Sequence, residues 1–89
     1  MVTVHVTPNL RRHIATESAS VSGRTVAEVL RAYFQQCSGL RGYVLEDSGA
    51  LRRHMTIFVN GVSIQDRQNL SDPVPVDGEI YIMQALSGG

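Results

Sequence analysis

Apolar and polar residues alternate strictly at the start of the chain. In "MVTVHVT", Val2, Val4 and Val6 share one side and Thr3, His5 and Thr7 the other, the period of a half-buried β-strand. Pro8-Asn9 marks a turn. "HIATESASVS" is a weaker strand, with Ala19 and Val21 inward and Ser18 and Ser20 outward. The period then changes. Val26, Val29, Leu30, Tyr33, Phe34 and Cys37 recur at i, i+3, i+4, i+7, i+8 and i+11, one apolar stripe along a helix. Thr25 and Glu28 form a capping-box pattern at its start, and Gly39 fits the left-handed position just past its end.

Residues 40–53 keep no period; Leu40, Val44, Leu45 and Leu51 are expected under the fold, with "EDSG" as an exposed turn. Alternation resumes in "HMTIFV", followed by Asn60-Gly61, a strong hairpin signal, and "VSIQ" as a short return strand. "DRQNLSDPVPVDG" reads as a loop with Leu70 and Val74 as buried plugs, ending in an Asp77-Gly78 turn. "EIYIMQAL" is the last strand, and "SGG" follows.

One helix and four or five strands must share one core, so the pattern predicts an α+β fold with a mixed sheet wrapped on one helix. Val2, Val4, Val6, Ile57, Val59, Ile80 and Ile82 are expected to meet the helical stripe. The first and last strands are expected side by side and parallel at the centre, since the helix supplies the crossover that a parallel pair needs. A sheet covered by one helix leaves a face open. Phe58, Tyr81 and Met83 alternate onto that face and form a candidate docking patch.

Composition narrows the function. The 89 residues make one domain, 1–89, with 85–89 as a flexible tail, and 43% hydrophobic residues suit a globular core. A formal net charge of +0 argues against a nucleic-acid binder. No apolar run approaches the ~18 residues of a membrane span and no signal pattern opens the chain, so a cytoplasmic protein without a membrane role is expected. The single cysteine, Cys37, fits a reducing compartment and reads as a small core residue. His5, His13 and His54 lack metal-ligand spacing, and no carboxylate pair or serine–histidine arrangement stands out. All eight basic side chains are arginine. Genome composition accounts for that, and so does a chemical reason: a chain whose own carboxyl terminus becomes activated has no lysine amine to attack it.

The stretches "GRTVAEVL", "GALRRHMTIFVNG" and "DGEIYIMQALSGG" together resemble the MoaD/ThiS family of ubiquitin-like sulfur carriers, most of all those of cysteine synthesis and their MoaD-like relatives. The resemblance spans the whole chain; Glu79 stands where the family usually has Asp. It implies the ubiquitin-like β-grasp fold and a protein co-substrate that is not itself an enzyme, although one version is the small subunit of a molybdopterin synthase. It further implies that a ubiquitin-activating-type adenylating enzyme uses ATP and magnesium to adenylate Gly89, that sulfur displaces AMP to leave a thiocarboxylate, and that a downstream acceptor enzyme consumes it. The chain itself then binds no cofactor or metal.

Leu86, Ser87 and Gly88 would lie in the partner's active site, where glycine allows the backbone to thread a narrow channel. The resemblance implies a docking role for Met83, at the position of an apolar interface residue in MoaD-type carriers, and for Phe58, at the position of the apolar patch on ubiquitin's sheet. Arg52, Arg53 and Arg67 would either steer an acidic partner or form a solvated rim. A ubiquitin-like modifier, conjugated through Gly89 to lysines of targets, is the alternative, and a β-grasp binding module with an incidental Gly-Gly is a third reading.

Overall fold

The structure, a computed structural model, describes residues 1–6 and 18–84. Strands β1 (Val2–Val6), β2 (Ser18–Val21), β3 (Met55–Val59), β4 (Val62–Ser63) and β5 (Glu79–Gln84) form one sheet in the order β2-β1-β5-β3-β4. Helix α1 (Val26–Gln36) crosses it, and a one-turn helix α2 (Arg41–Val44) follows. β1 and β5 pair in parallel at the centre, as the pattern predicts, with Val4 opposite Ile80 and Val6 opposite Ile82. β2 and β3 flank them antiparallel.

The two periods account for the layers. Val2, Val4, Val6, Val21, Met55, Ile57, Ile80 and Ile82 point from the sheet onto Val26, Val29, Leu30, Tyr33 and Phe34 of α1, and all are buried. Val59 is the outer member of the predicted set: it is half-buried and packs against the core edge. Thr25 caps α1, its Oγ1 accepting the Glu28 N–H at 3.2 Å, while Glu28 Oε1 accepts the Arg24 N–H at 3.0 Å. This closes the capping box one residue further back than the usual partner.

The end of α1 differs from the expectation for Gly39. Cys37 is the cap, its N–H donating to the Tyr33 carbonyl at 3.1 Å, and the chain continues through a 3-10 turn over Ser38–Leu40 into α2. No left-handed residue is needed, because the turn keeps the helical sense and carries Leu40 and Val44 inward. Leu45 and Leu51 bridge and are buried, so the four apolar residues of the aperiodic stretch all reach the core.

The hairpin follows its signal. Asn60 and Gly61 both have positive φ, 49° and 86°, the mirror-image turn that matches strand twist. β4 is shorter than "VSIQ", because the Gln65 and Asp66 N–H groups donate to the Asp72 carboxylate at 3.0 and 2.8 Å in place of a sheet partner. The following loop is wound on Asp66, whose carboxylate accepts from the Ser71 hydroxyl and from the Gln68 and Asn69 N–H groups at 3.1 and 2.9 Å. Those bonds, the Ser71 bond foremost, hold its pKa down at about 2. Leu70 and Val74 plug the core as expected.

One buried group is unsatisfied. The Tyr33 hydroxyl finds no hydrogen-bond partner among the described residues, and burial, with Cys37 beside it, raises the phenol above its ordinary pKa. A buried donor left unpaired costs about 1–3 kcal/mol. Tyr33→Phe should therefore fold at least as stably as the parent, gaining up to about 1 kcal/mol in a urea titration. A loss above about 1 kcal/mol would show that the hydroxyl is bonded.

Candidate functional site

The open face of the sheet is the candidate site. Strand alternation turns Thr3 and His5 of β1, Thr56 and Phe58 of β3, and Glu79, Tyr81 and Met83 of β5 away from the helix. Register then aligns a row straight across the sheet: Ser18, His5, Tyr81, Phe58 and Ser63, each paired with the next. Met83 lies one row on, opposite Thr56.

The row is ordered by contacts. The His5 ring stacks on Tyr81 with centroids 4.5 Å apart and planes 13° apart. His5 Nε2 and Glu79 Oε1 share a hydrogen bond of 2.9 Å. Such cross-strand pairs are each worth roughly 0.2–1 kcal/mol and fix rotamers in advance of binding. Tyr81 and Met83 remain 40% and 37% exposed, and Phe58 is half-buried beside them. A preordered aromatic centre with a methionine at its rim is the composition of an interface core, where charge is sparse. The face does carry Glu79, whose carboxylate is engaged with His5.

Asn60 ties this face to the hairpin. Its N–H donates to the Glu79 carbonyl and its Oδ1 accepts the Glu79 N–H, both at 2.8 Å. Below it, Gly78 packs where a Cβ would come 3.0 Å from the Pro75 carbonyl oxygen, so a side chain at the entry to β5 would press on that backbone. β5 is thus fixed at its start by Asn60 and along its length by β1 and β3, and it points toward residue 85.

The structure therefore brings Phe58, Tyr81 and Met83 together, as the alternation predicts. Leu86, Ser87, Gly88 and Gly89 lie outside the described residues. Two of the three candidate steering arginines have other work. Arg67 Nη2 donates to the carbonyls of Arg52 and Met55 at 2.9 and 2.7 Å, and Arg52 Nε donates to the Gly42 carbonyl at 2.7 Å. They clamp the aperiodic 40–53 segment onto the sheet, and neither is a free surface charge; Arg53 is exposed. His5 has no metal-ligand spacing, so its place in the sequence alone does not single it out. Its signal was the pairing of the first and last strands, which sets it beside Tyr81. Among the described residues no group of three or more His, Cys, Asp or Glu could hold a metal, and no helix is long and apolar enough to cross a membrane.

The architecture defines a ubiquitin-like β-grasp protein: a mixed five-stranded sheet with parallel central strands, wrapped on one principal helix. No family model matches the sequence, and no curated protein matches it. Solved structures do. Mycobacterium tuberculosis CysO aligns at 27% identity and TM-score 0.84, over 97% of this chain and 100% of that one. Small archaeal modifier protein 1 from Methanosarcina acetivorans aligns at 26% identity and TM-score 0.82, over 99% and 95%. A chain of the Amycolatopsis orientalis BexX/CysO complex shares the fold over 100% of both chains, at 24% identity and TM-score 0.86. These neighbours bear out the resemblance to ubiquitin-like sulfur carriers of the MoaD/ThiS type.

Proposed function

We propose that this chain is a sulfur-carrier protein that works through its carboxyl terminus, with Gly89 as the reacting residue. The observation that supports it best is the placement of β5. This strand sits between β1 and β3, is flanked on the open face by the Tyr81 row, and runs directly into "ALSGG". A rigid strand leading to a glycine-ended arm, beside a preordered apolar face, suits a protein that docks by its sheet and reaches into a partner.

The chemistry follows from the terminal carboxylate, which is a poor electrophile. An oxygen of Gly89 attacks the α-phosphorus of ATP bound with magnesium in an adenylating partner, and pyrophosphate leaves. A sulfur nucleophile then attacks the acyl carbon, AMP leaves, and the carboxylate becomes a thiocarboxylate. Its sulfur is softer and more polarizable than oxygen, and tethering it gives the acceptor enzyme a high local concentration of nucleophile. The protein is a co-substrate and performs no turnover of its own. Phe58, Tyr81 and Met83 make the docking surface for the activating enzyme and, in turn, for the acceptor enzyme. That the CysO neighbour was crystallised with BexX supports a carrier that docks another protein.

The test is intact mass spectrometry of the chain from its native cells. A carrier shows a population heavier by one oxygen-to-sulfur exchange, about 16 Da, that an alkylating agent traps. Absence of that species with a competent activating partner present would overturn the reading. Tight copurification with a larger subunit would mark the molybdopterin-synthase version. A modifier reading is favoured by the likeness to small archaeal modifier protein 1; conjugates joined through Gly89 to lysines of other proteins would establish it.

A further inference from the structure

We propose that a cleft on the helix layer is a second docking site, built for an aliphatic side chain flanked by carboxylates on a partner protein. It goes beyond the carrier reading and uses neither Gly89 nor the open sheet face.

The hollow exists because two of its lining residues are small. Ala27 stands one turn before Arg31 on α1, and both line the cleft together with Leu30. The facing wall is Arg41 of α2, Leu45 at its end, and Gly49 in the turn that follows. Leu70 closes the bottom, tied to α1 by its carbonyl, which accepts the Ala27 N–H at 2.9 Å. Leu30, Leu45 and Leu70 are buried, so the floor is apolar. Alanine is too short to fill the space above them, and a Cβ on Gly49 would meet nothing within 4 Å. The volume left is about 200 Å³.

The rim sets the charge of the occupant. Arg31 and Arg41 are both exposed, and neither is in an ion pair with any described residue. Among the described residues no carboxylate lines the cleft, and its other polar member, Asn69, is neutral. A chain of formal net charge +0 therefore carries a local excess of two cations over an apolar floor. Two cations on one rim repel until an anion enters. A guanidinium binds a carboxylate through paired N–H donors, so the complementary group is an acid.

Size decides between a free metabolite and a protein segment. Small-molecule sites run to about 300–1,000 Å³ and enclose most of the ligand. This cleft holds one aliphatic side chain and leaves the remainder outside. That is the manner of an interface anchor, with charges placed around it for specificity. The cleft lies on the helix side of the sheet, and Phe58 and Tyr81 lie on the other side. Both surfaces can be filled in the same molecule.

The test uses the full chain, labelled with nitrogen-15 and titrated with acetyl-Glu-Leu-Glu-amide under two-dimensional NMR. Saturable shifts in the millimolar range should fall on Ala27, Arg31, Leu45 and Gly49, and not on Phe58, Tyr81 or Met83. Acetyl-Gln-Leu-Gln-amide should bind at least about fivefold more weakly, as two exposed charge pairs predict. Arg31→Gln combined with Arg41→Gln should erase the difference between the two peptides. Ala27→Leu, which fills the hollow, should weaken both, and the rest of each spectrum shows whether the variant is folded. The proposal falls if the shifts land on the sheet face or do not saturate, or if the Gln peptide binds as well as the Glu peptide. It falls too if 4-methylpentanoate, a free aliphatic acid, binds as tightly as the peptide, since that marks a small-molecule site. Failure to find a thiocarboxylate in cells would overturn the carrier reading and leave this result intact.

Discussion

Tyr81→Asp should lower the initial rate of thiocarboxylate formation by roughly 30- to 1,000-fold at subsaturating carrier, the ~2–4 kcal/mol of an interface hot spot. The reasoning is positional. Tyr81 stands at the middle of the row that runs from Ser18 to Ser63, between His5 and Phe58. Hot spots lie at the centre of an interface and are aromatic. Aspartate there would remove the His5 stack and present an unpaired charge to an apolar surface. Folding should change little, because Tyr81 is 40% exposed on the uncovered face. The measurement is a time course by intact mass with the activating enzyme, alongside a thermal melt. An unchanged rate with an unchanged melt would show that the partner docks elsewhere.

The second large effect is on stability. Ile82 is the next residue along β5, fully buried and paired with Val6 and Ile57. Ile82→Ala should cost about 3–4 kcal/mol, within the range for a large aliphatic truncated in a close-packed core. A domain of this size holds only ~5–15 kcal/mol in all, so the melting temperature should fall by at least ~12 °C. Met83→Ala, one position further on, should cost less than about 1 kcal/mol, because Met83 faces solvent. Equal costs at the two positions in a urea titration would overturn the assignment of faces.

Those paired expectations show what the sequence makes legible. The side-chain period is 2 in "MVTVHVT", "MTIFV" and "EIYIM" and 3.6 in "VAEVLRAYF", and periodicity is a local property that can be read without knowing the fold. It located β1, β3, β5 and α1, and with them the outward placing of Phe58, Tyr81 and Met83. The parallel centre followed from the connection rule, since a single helix lies between the first strands and the last ones. What escaped depends on contacts between distant segments. The turn after α1 is set by the burial of Leu40 and Val44, which Gly39 does not announce. Arg67 reads as a surface charge until the fold brings the carbonyls of Arg52 and Met55 to its guanidinium. β4 stops early because a carboxylate seven residues beyond Gln65, on Asp72, takes its amide. His5 joins the candidate site only through its register with Tyr81.

The central pair also sets an order of events in folding. β1 and β5 come from opposite ends of the chain, with Thr3 facing Glu79 and Val4 facing Ile80. Among the described strands, β1 has β2 alone as a partner until β5 docks, and β3 has β4 alone. Closing so long a loop is slow, and its entropy must be met before the central contacts form. A ribosome-bound chain that has not yet released residues 79–84 therefore lacks the strand that joins the two halves of its sheet. On the reading proposed above, the face that Phe58 shares with Tyr81 and Met83 does not exist until that strand docks.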